Sequence, residues 1–371
     1  MDSHSAGPGA SGSPAASSPA TYPTLAVEDS IYVDSEYGAL KEVIVGLPYG
    51  RSPDLTAPWL QETLKVLPPD EAAYARATAG LSWETMIHPV KNKSETELLE
   101  EENRELIRIL EGLGVKVVRP KRLTEEYIAQ NYGKEILANG FSQDFPRDNM
   151  IVIGNQAIEF NLRTMLRRAD ISGFKGILAA KFKTGGMRWI AMPHAEPLAP
   201  TPPDDPALEG GDFVFVGTTI LLGNTQNPSV GSNQAGHEWI TRIVGDEYKV
   251  IRVPLVERIL HLDCVLSVPR HGLAIVCEEA YIDGLPACIE NWDLIKVPLE
   301  DASRLAVNGL PVDEKNYIMS YNDHVSNDRV RDELETRGIT VHPVYFGTHN
   351  GQGGSIRCST QPLKRATVRP R

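Results

Sequence analysis

The chain has 371 residues, of which 41% are hydrophobic and 23% charged, enough apolar side chain to bury a substantial core in one large domain or two smaller ones. Its formal net charge is -12, from 49 acidic and 37 basic residues, and no Lys/Arg block is dense enough to follow a phosphate backbone, which argues against a nucleic-acid partner. No run of apolar residues is long enough for a membrane helix.

Residues 1–24 are Ser, Ala, Pro and Gly with almost no large apolar side chain, and read as a disordered tail without the apolar stretch of a secretory signal. Residues 25–371 then form a single catalytic domain, expected in the cytoplasm. Four cysteines, Cys264, Cys277, Cys288 and Cys358, without a Cys-x-x-Cys pair, fit reduced thiols rather than a disulfide framework or a zinc site.

The first structured segment is a strand over 40–48. A helix over 94–113 follows: Ser94 and Glu97 form a capping box, Leu98, Leu99, Ile107 and Leu110 lie on one face, and Gly114 ends it. A strand over 115–120 comes next. Three segments then open on an acidic residue and continue as apolar run, turn, apolar run, starting at Asp148, Asp212 and Asp263; each reads as a β-hairpin. Between or after them come a helix over 237–244, strands over 248–254 and 294–298, a helix over 328–338 and a strand over 339–344.

Hairpin, helix and strand therefore recur at roughly 50-residue spacing, which suggests a closed ring of ββαβ modules. In such a ring the module starts converge on the axis. The first strand and a strand carrying Cys358 would close it, bringing Asp148, Glu209, Asp212, His261, Asp263 and Cys358 to one central pocket.

Those residues suit one chemistry. Cys358 follows Gly353 and Gly354 and reads as a nucleophile, with His261 as a separate acid/base. The carboxylates Asp148 and Glu209, each in a turn before a strand, suit a planar cation held through its N–H pairs. Such a cation raises the thiolate fraction of the neighbouring cysteine. On a strand, Asp263 would project to the same side as His261, either orienting the imidazole or binding substrate. Each motif has a plainer reading: Cys358 as a core thiol, the glycines as a tight turn, Glu209–Asp212 as a turn, His261 and Asp263 as a surface pair. Cys264, Cys277 and Cys288 read as core, and the other histidines, His349 among them, as structural. A metal site at His261, Asp263 and Cys358 lacks the close-spaced ligand pair such sites use. No metal and no cofactor are expected.

Phe-x-Arg-Asp at 145–148, Glu-Gly-Gly-Asp at 209–212, His-x-Asp at 261–263 and Gly-Gly-x-x-x-Cys at 353–358, in this order, resemble the guanidino-group-modifying enzymes of the pentein superfamily. The resemblance runs from about residue 31 to 365. It implies a pseudo-fivefold α/β propeller of ββαβ modules around a central active site, with Cys358, His261, Glu209 and Asp148 catalytic. It also implies an amidino group carried on Cys358. Residues 35–48, 147–168 and 187–198 look like those of arginine:glycine and inosamine-phosphate amidinotransferases. That likeness implies transfer of the amidino group of L-arginine to an amine, with release of ornithine. Asp263, Asp212, Asn308 and Arg147 are expected at the substrate.

Arg357 before the cysteine and Ser-Thr-Gln-Pro-Leu after it look more like arginine deiminases. Hydrolysis to citrulline and ammonia therefore stands as the alternative, and a catalytically silent binding protein as a third reading. Glu209 stands where typical amidinotransferases have aspartate, and Cys264 where relatives have a small or hydroxylated residue. Small molecules are the expected partners, and a homodimer the expected assembly.

Overall fold

The computed structural model describes residues 30–196 and 199–368. The tail expected over residues 1–24 lies outside them. Strand β1 (Leu40–Val45) leads into β2 (Gly50–Arg51), helices α1 (Pro58–Thr63), α2 (Pro69–Thr78) and α3 (Glu95–Gly112), and strand β3 (Lys116–Val118). Helix α4 (Glu125–Tyr132) and strand β4 (Phe141–Ser142) precede the first hairpin, β5 (Met150–Ile153) and β6 (Gln156–Glu159). Helix α5 (Ile171–Lys183) and strand β7 (Arg188–Ala191) complete that module.

The unit then repeats. Strands β8 (Phe213–Val216) and β9 (Thr219–Thr225) are followed by α6 (Gln234–Val244) and β10 (Lys249–Leu255). Strands β11 (Leu266–Arg270) and β12 (Leu273–Val276) are followed by β13 (Asp293–Lys296). After α7 (Leu299–Ala302) come β14 (Leu310–Asp313), β15 (Asn316–Tyr321), α8 (Asp328–Thr336) and β16 (Thr340–Tyr345). Helix α9 (Gly347–Gly351) and strand β17 (Thr360–Arg365) end the chain's described elements.

Among the described residues there are five three-stranded sheets, and all have one plan: an inner strand antiparallel to a middle strand, which is parallel to an outer one. The inner strands are β5, β8, β11, β14 and β17. Neighbours among them touch, β8 with β11, β11 with β14, and β17 with β5. Strand β17 pairs with β1, so the two ends of the chain close the ring. The inner strands are buried almost throughout, as the Met-Ile-Val-Ile and Phe-Val-Phe-Val runs require, with apolar cores between neighbouring sheets.

Helix α3 forms for the reasons its sequence gives. Ser94 accepts the Glu97 N–H while the Glu97 carboxylate takes the Ser94 N–H at 2.7 Å, and Gly114 turns the chain at φ +79°. Its buried face differs from the expected one: Leu106 and Ile109 join Leu98, Leu99 and Leu110, whereas Ile107 is half-buried. In the third module no α-helix bridges β12 and β13; a single 3-10 turn at Glu278–Ala280 starts the connection.

Three expectations need correction. A fourth hairpin, β14 and β15, begins beyond Asn308 rather than an acid, and Pro311 and the Asp-Glu-Lys turn hide its alternation. Cys358 is not on a strand but in the turn at 356–359, just before β17. Nor are His261 and Asp263 on a strand: His261 is extended and Leu262–Cys264 is a 3-10 turn, so the two side chains diverge. The segment 49–93, which the sequence reading left without elements, carries α1 and α2, each opened by proline in its first turn.

Candidate active site

The residues two positions before the five inner strands are Asp148, Gly211, Cys264, Asn308 and Cys358, each in the segment that feeds its strand. The pseudo-fivefold plan thus gathers five non-equivalent positions at one end of the ring. Three of them, Asp148, Cys264 and Cys358, line a cavity of about 300 Å³, together with His261, Glu209 and Arg167. Gly211 must be glycine, since a Cβ there would stand 2.6 Å from His261 Nδ1 and 3.0 Å from Asp148 Oδ1.

The turn that presents Cys358 is held from several sides. Asn308 Oδ1 accepts the N–H of Arg357 at 3.1 Å and of Cys358 at 3.2 Å, and the Cys358 carbonyl accepts the Arg147 N–H at 3.3 Å. Arg357, fully buried, donates to Asp263 at 2.9 Å, to Glu36 at 3.0 Å and to the Phe213 carbonyl at 2.6 Å. Gly353 adopts φ +87°, and Gly354 packs so closely on the Phe145 ring that a Cβ would lie 2.2 Å from a ring carbon. The glycines therefore serve the turn and its packing on Phe145.

His261 is 3% exposed. Its Nε2 is 2.6 Å from Glu209 Oε2, and its Nδ1 is 3.7 Å from Asp148 Oδ1. Burial alone would push the imidazole down, but the charge of Asp148, the bond to Glu209 and the nearby Asp212 outweigh it and raise it well above its ordinary value. The surroundings therefore favour the imidazolium form. The Cys358 thiol is pushed well above its ordinary value by burial and then by the charges of Asp263 and Asp148, and Asp263 Oδ2 lies 3.9 Å from its sulfur. The resting thiol is protonated, and only a cation entering the cavity offsets the carboxylates around it.

Asp148 is already occupied. Its Oδ2 takes Arg167 Nη1 at 2.7 Å and its Oδ1 takes the Gly211 N–H at 3.0 Å, which leaves only the second lone pairs free for a ligand. Burial pushes its carboxyl up, and His261 and Arg167 reverse that to a net lowering. Glu209 is placed similarly: Oε1 accepts the Gly231 N–H at 3.1 Å while Oε2 faces His261.

The residues expected at the substrate have other places. Asp212, Asp263, Asn308 and Arg147 do not form the cavity wall. Asp212 bonds the backbone N–H of Ser232 and Leu262 at 2.9 and 3.2 Å, and burial pushes its carboxyl up to about 7. Asp263 and Asn308 hold the nucleophile's turn, the former through Arg357. Arg147 Nε donates to the Arg357 carbonyl at 3.2 Å, and burial then the Arg357 charge bring its guanidinium down to about 9.

Sequence reasoning missed three features. Arg167, at φ +66°, lines the cavity and bonds Asp148, Asp170, Asn149 and the carbonyls of Ser142 and Phe145. A non-glycine residue at positive φ is a tertiary outcome with no local sequence signal. Cys264, read as core, lines the cavity. The wall contributed by α1 and α2 was signalled only by the prolines that open those helices.

No family model matches the chain. An L-arginine:L-lysine amidinotransferase of Pseudomonas savastanoi pv. phaseolicola is 25% identical over 362 residues, covering 89% of this chain and 93% of that protein. A putative inosamine-phosphate amidinotransferase of Streptomyces griseus is 27% identical over 351 residues, covering 90% and 96%. Among solved structures, an amidinotransferase of saxitoxin biosynthesis from Microseira wollei superposes with TM-score 0.73 at 23% identity, over 92% of this chain and 99% of that one. Inosamine-phosphate amidinotransferase from Streptomyces griseus superposes with TM-score 0.71 at 20% identity, over 92% and 98%. A dimethylarginine-acting enzyme from Pseudomonas aeruginosa gives 0.57 at 16% identity. In sequence the chain is similar to amidinotransferases over about nine-tenths of its length, and in fold it is similar to two solved amidinotransferases and to that enzyme from Pseudomonas aeruginosa.

Proposed function

We propose that this protein transfers the amidino group of L-arginine to an amine acceptor through a covalent amidino-Cys358 intermediate, releasing ornithine. The observation that carries this reading is the convergence of the Cys358 thiol with the Glu209-bound imidazolium of His261 and with Asp148 on one cavity. The similarity over about nine-tenths of the chain to an L-arginine:L-lysine amidinotransferase and to a putative inosamine-phosphate amidinotransferase supports it.

The steps follow from the protonation states. The guanidinium of arginine enters between Asp148 and Glu209 and orients its plane by their remaining lone pairs. Its charge lowers the cost of forming the thiolate. Sγ attacks the guanidino carbon, forming the S–C bond. The bond from carbon to the δ-nitrogen of the ornithine portion then breaks as His261 protonates that nitrogen. The thiol proton passes to solvent as the thiolate forms, so this half leaves His261 neutral. In the second half an amine attacks the same carbon, the neutral imidazole takes its proton, and the thiolate leaves and regains a proton from solvent. Glu209 holds the imidazole in place throughout. Asp263, Asn308, Arg147 and Asp212 act on this reaction through the positions of Cys358, Glu209 and His261.

The same reading places a single catalytic domain over residues 25–371, acting in the cytoplasm on small molecules, as a homodimer. No helix among the described residues is long and apolar enough to cross a membrane.

Mass spectrometry after incubation with arginine, with and without a panel of amines, tests the reading. Ornithine and an amidinated amine are the expected products, with an amidino adduct on Cys358 in the protein. Citrulline and ammonia in place of ornithine would replace the transferase by a deiminase.

A further inference from the structure

The cavity has two unlike regions. Its inner end is polar, with Cys358, His261, Glu209, Asp148 and Arg167. The rest of its wall is largely carbon: Leu60, Leu67 and Tyr74 come from the segment carrying α1 and α2, and Val230, Ile259 and Leu305 from loops of three ring modules. That segment lies between β1 and α3, outside the ββαβ plan.

Several charged side chains at this outer region are held by partners of opposite sign. Glu71 is bound by Arg304 at 2.8 Å, and Arg304 also grips Asp70 with two bonds of 2.8 and 2.9 Å. Arg51 faces Asp54 at 3.8 Å and Glu125 at 3.7 Å. Glu257 and Arg258, neighbours of opposite sign, are exposed and sit on the wall before Ile259. Helix α2 is thereby fastened across the cavity, and the surface it turns inward offers dispersion and water exclusion rather than ion pairing. A dry wall also keeps water from an amidino-cysteine until an amine arrives.

We infer that the acceptor is a primary amine carrying an alkyl or aryl body, seated against Leu60, Leu67 and Tyr74, and not a small zwitterionic amino acid. This rests on the amidino-transfer reading above and names the substrate class of its second half. Burying each further methylene of such an amine stabilises the complex by about 0.8 kcal/mol, or about fourfold in kcat/KM.

The test uses the full chain with arginine as donor and linear amines from ethylamine to hexylamine, with glycine and lysine alongside. Amidinated product is measured for each amine. Ornithine release and the Cys358 adduct in a single turnover without acceptor are measured separately, because they report the first half alone. The expected result is a rise of about fourfold in kcat/KM per methylene, with glycine and lysine far below hexylamine. Leu67→Asn, at a half-buried position, flattens that slope, and the single-turnover ornithine yield of the same variant reads any effect on the first half separately; Tyr74→Ser, at a partly exposed one, provides a second reading should the first variant fold poorly. A flat series in the wild type, or glycine or lysine as the best acceptor, overturns the inference while the adduct still forms. Absence of both adduct and ornithine instead overturns the transfer reading on which it stands.

Discussion

Two histidines in this molecule are built alike, and only one faces the cavity. His261 lies between Glu209 at 2.6 Å and Asp148 at 3.7 Å. His349 lies between Glu102, 2.6 Å from its Nδ1, and Asp144, 3.1 Å from its Nε2; its ring stacks on Phe346 at 3.8 Å between centroids. Both rings are buried, and both carry a proton because the carboxylates overcome a burial that would push them down; His349 is raised to about 9. Yet neither His349, Glu102 nor Asp144 lines the cavity. Glu102 also accepts the N–H of Thr348 at 2.9 Å and of His349 at 3.1 Å, so this second cluster bolts α3 to α9. A histidine between two carboxylates is thus a building element of this ring. Access to a cavity shared with a thiol is what separates the two copies.

The sharpest break in that comparison is at the thiol. In the proposed reaction Cys358→Ala removes the sulfur that carries the amidino group and lowers turnover by at least about 10⁴-fold. The amidino adduct disappears from the intact mass, and the fold is retained because alanine fits the buried turn. An adduct persisting in that variant would move the nucleophile elsewhere, Cys264 being the thiol that shares the cavity.

Next come the histidines themselves, where matched substitutions separate the two roles. His261→Asn lowers kcat by about 10² to 10⁴-fold. His349→Asn instead leaves Glu102 and Asp144 buried without a cation, at a cost of about 3–5 kcal/mol in unfolding free energy. Urea titration with activity assayed on the same samples reads both effects. Equal activity losses per folded molecule in the two variants would erase the distinction.

How far the sequence alone draws this distinction depends on the range of the interactions involved. The hairpins are legible because β-branched and aromatic residues alternate over four to seven positions, and the capping box because it closes within three residues. The Glu209, His261 and Cys358 set is legible as motif chemistry, since each is an unusual polar residue at a turn before a strand. The partners that decide their behaviour are not. Asp263 reaches Arg357 across 94 positions and His349 reaches Glu102 across 247, and no local pattern encodes either encounter. Asp148 reads as a free substrate clamp in sequence because Arg167, which occupies half of it, arrives by a positive-φ turn. Helix α2 shows no strong amphipathic pattern, so the wall it supplies is visible only once the ring is closed.

The pH dependence of stability sharpens the comparison further. His349 binds its proton with a folded value of about 9 against an unfolded value near 6.5, so its contribution is complete below pH 6.5 and is lost as pH rises through 9. The amount at stake is about 3 kcal/mol. Urea midpoints of wild type and His349→Asn should therefore lie well apart at pH 6 and draw together by pH 9.5. A constant gap across that window would mean that His349 stabilises by packing on Phe346 and not by charge.

The mildest perturbation reaches the structural cluster through the helix that carries it. Ser94→Ala removes one side of the capping box of α3, eight residues before Glu102, and leaves the Glu97 N–H without its partner. The loss is about 1 kcal/mol. It is too small to unfold the ring, and it lies outside the cavity, so kcat/KM stays at the wild-type value while thermal unfolding shifts down by about 2 °C or less for a chain of this size. If the two clusters are as separate as their surroundings make them, combining Ser94→Ala with His261→Asn gives additive effects. The stability loss then equals that of Ser94→Ala with the small contribution of His261→Asn added, and the activity loss equals that of His261→Asn alone. An activity loss in the double variant beyond that of His261→Asn would show that strain in α3 travels through α9 to the turn of Cys358, and the two histidine clusters would have to be treated as one.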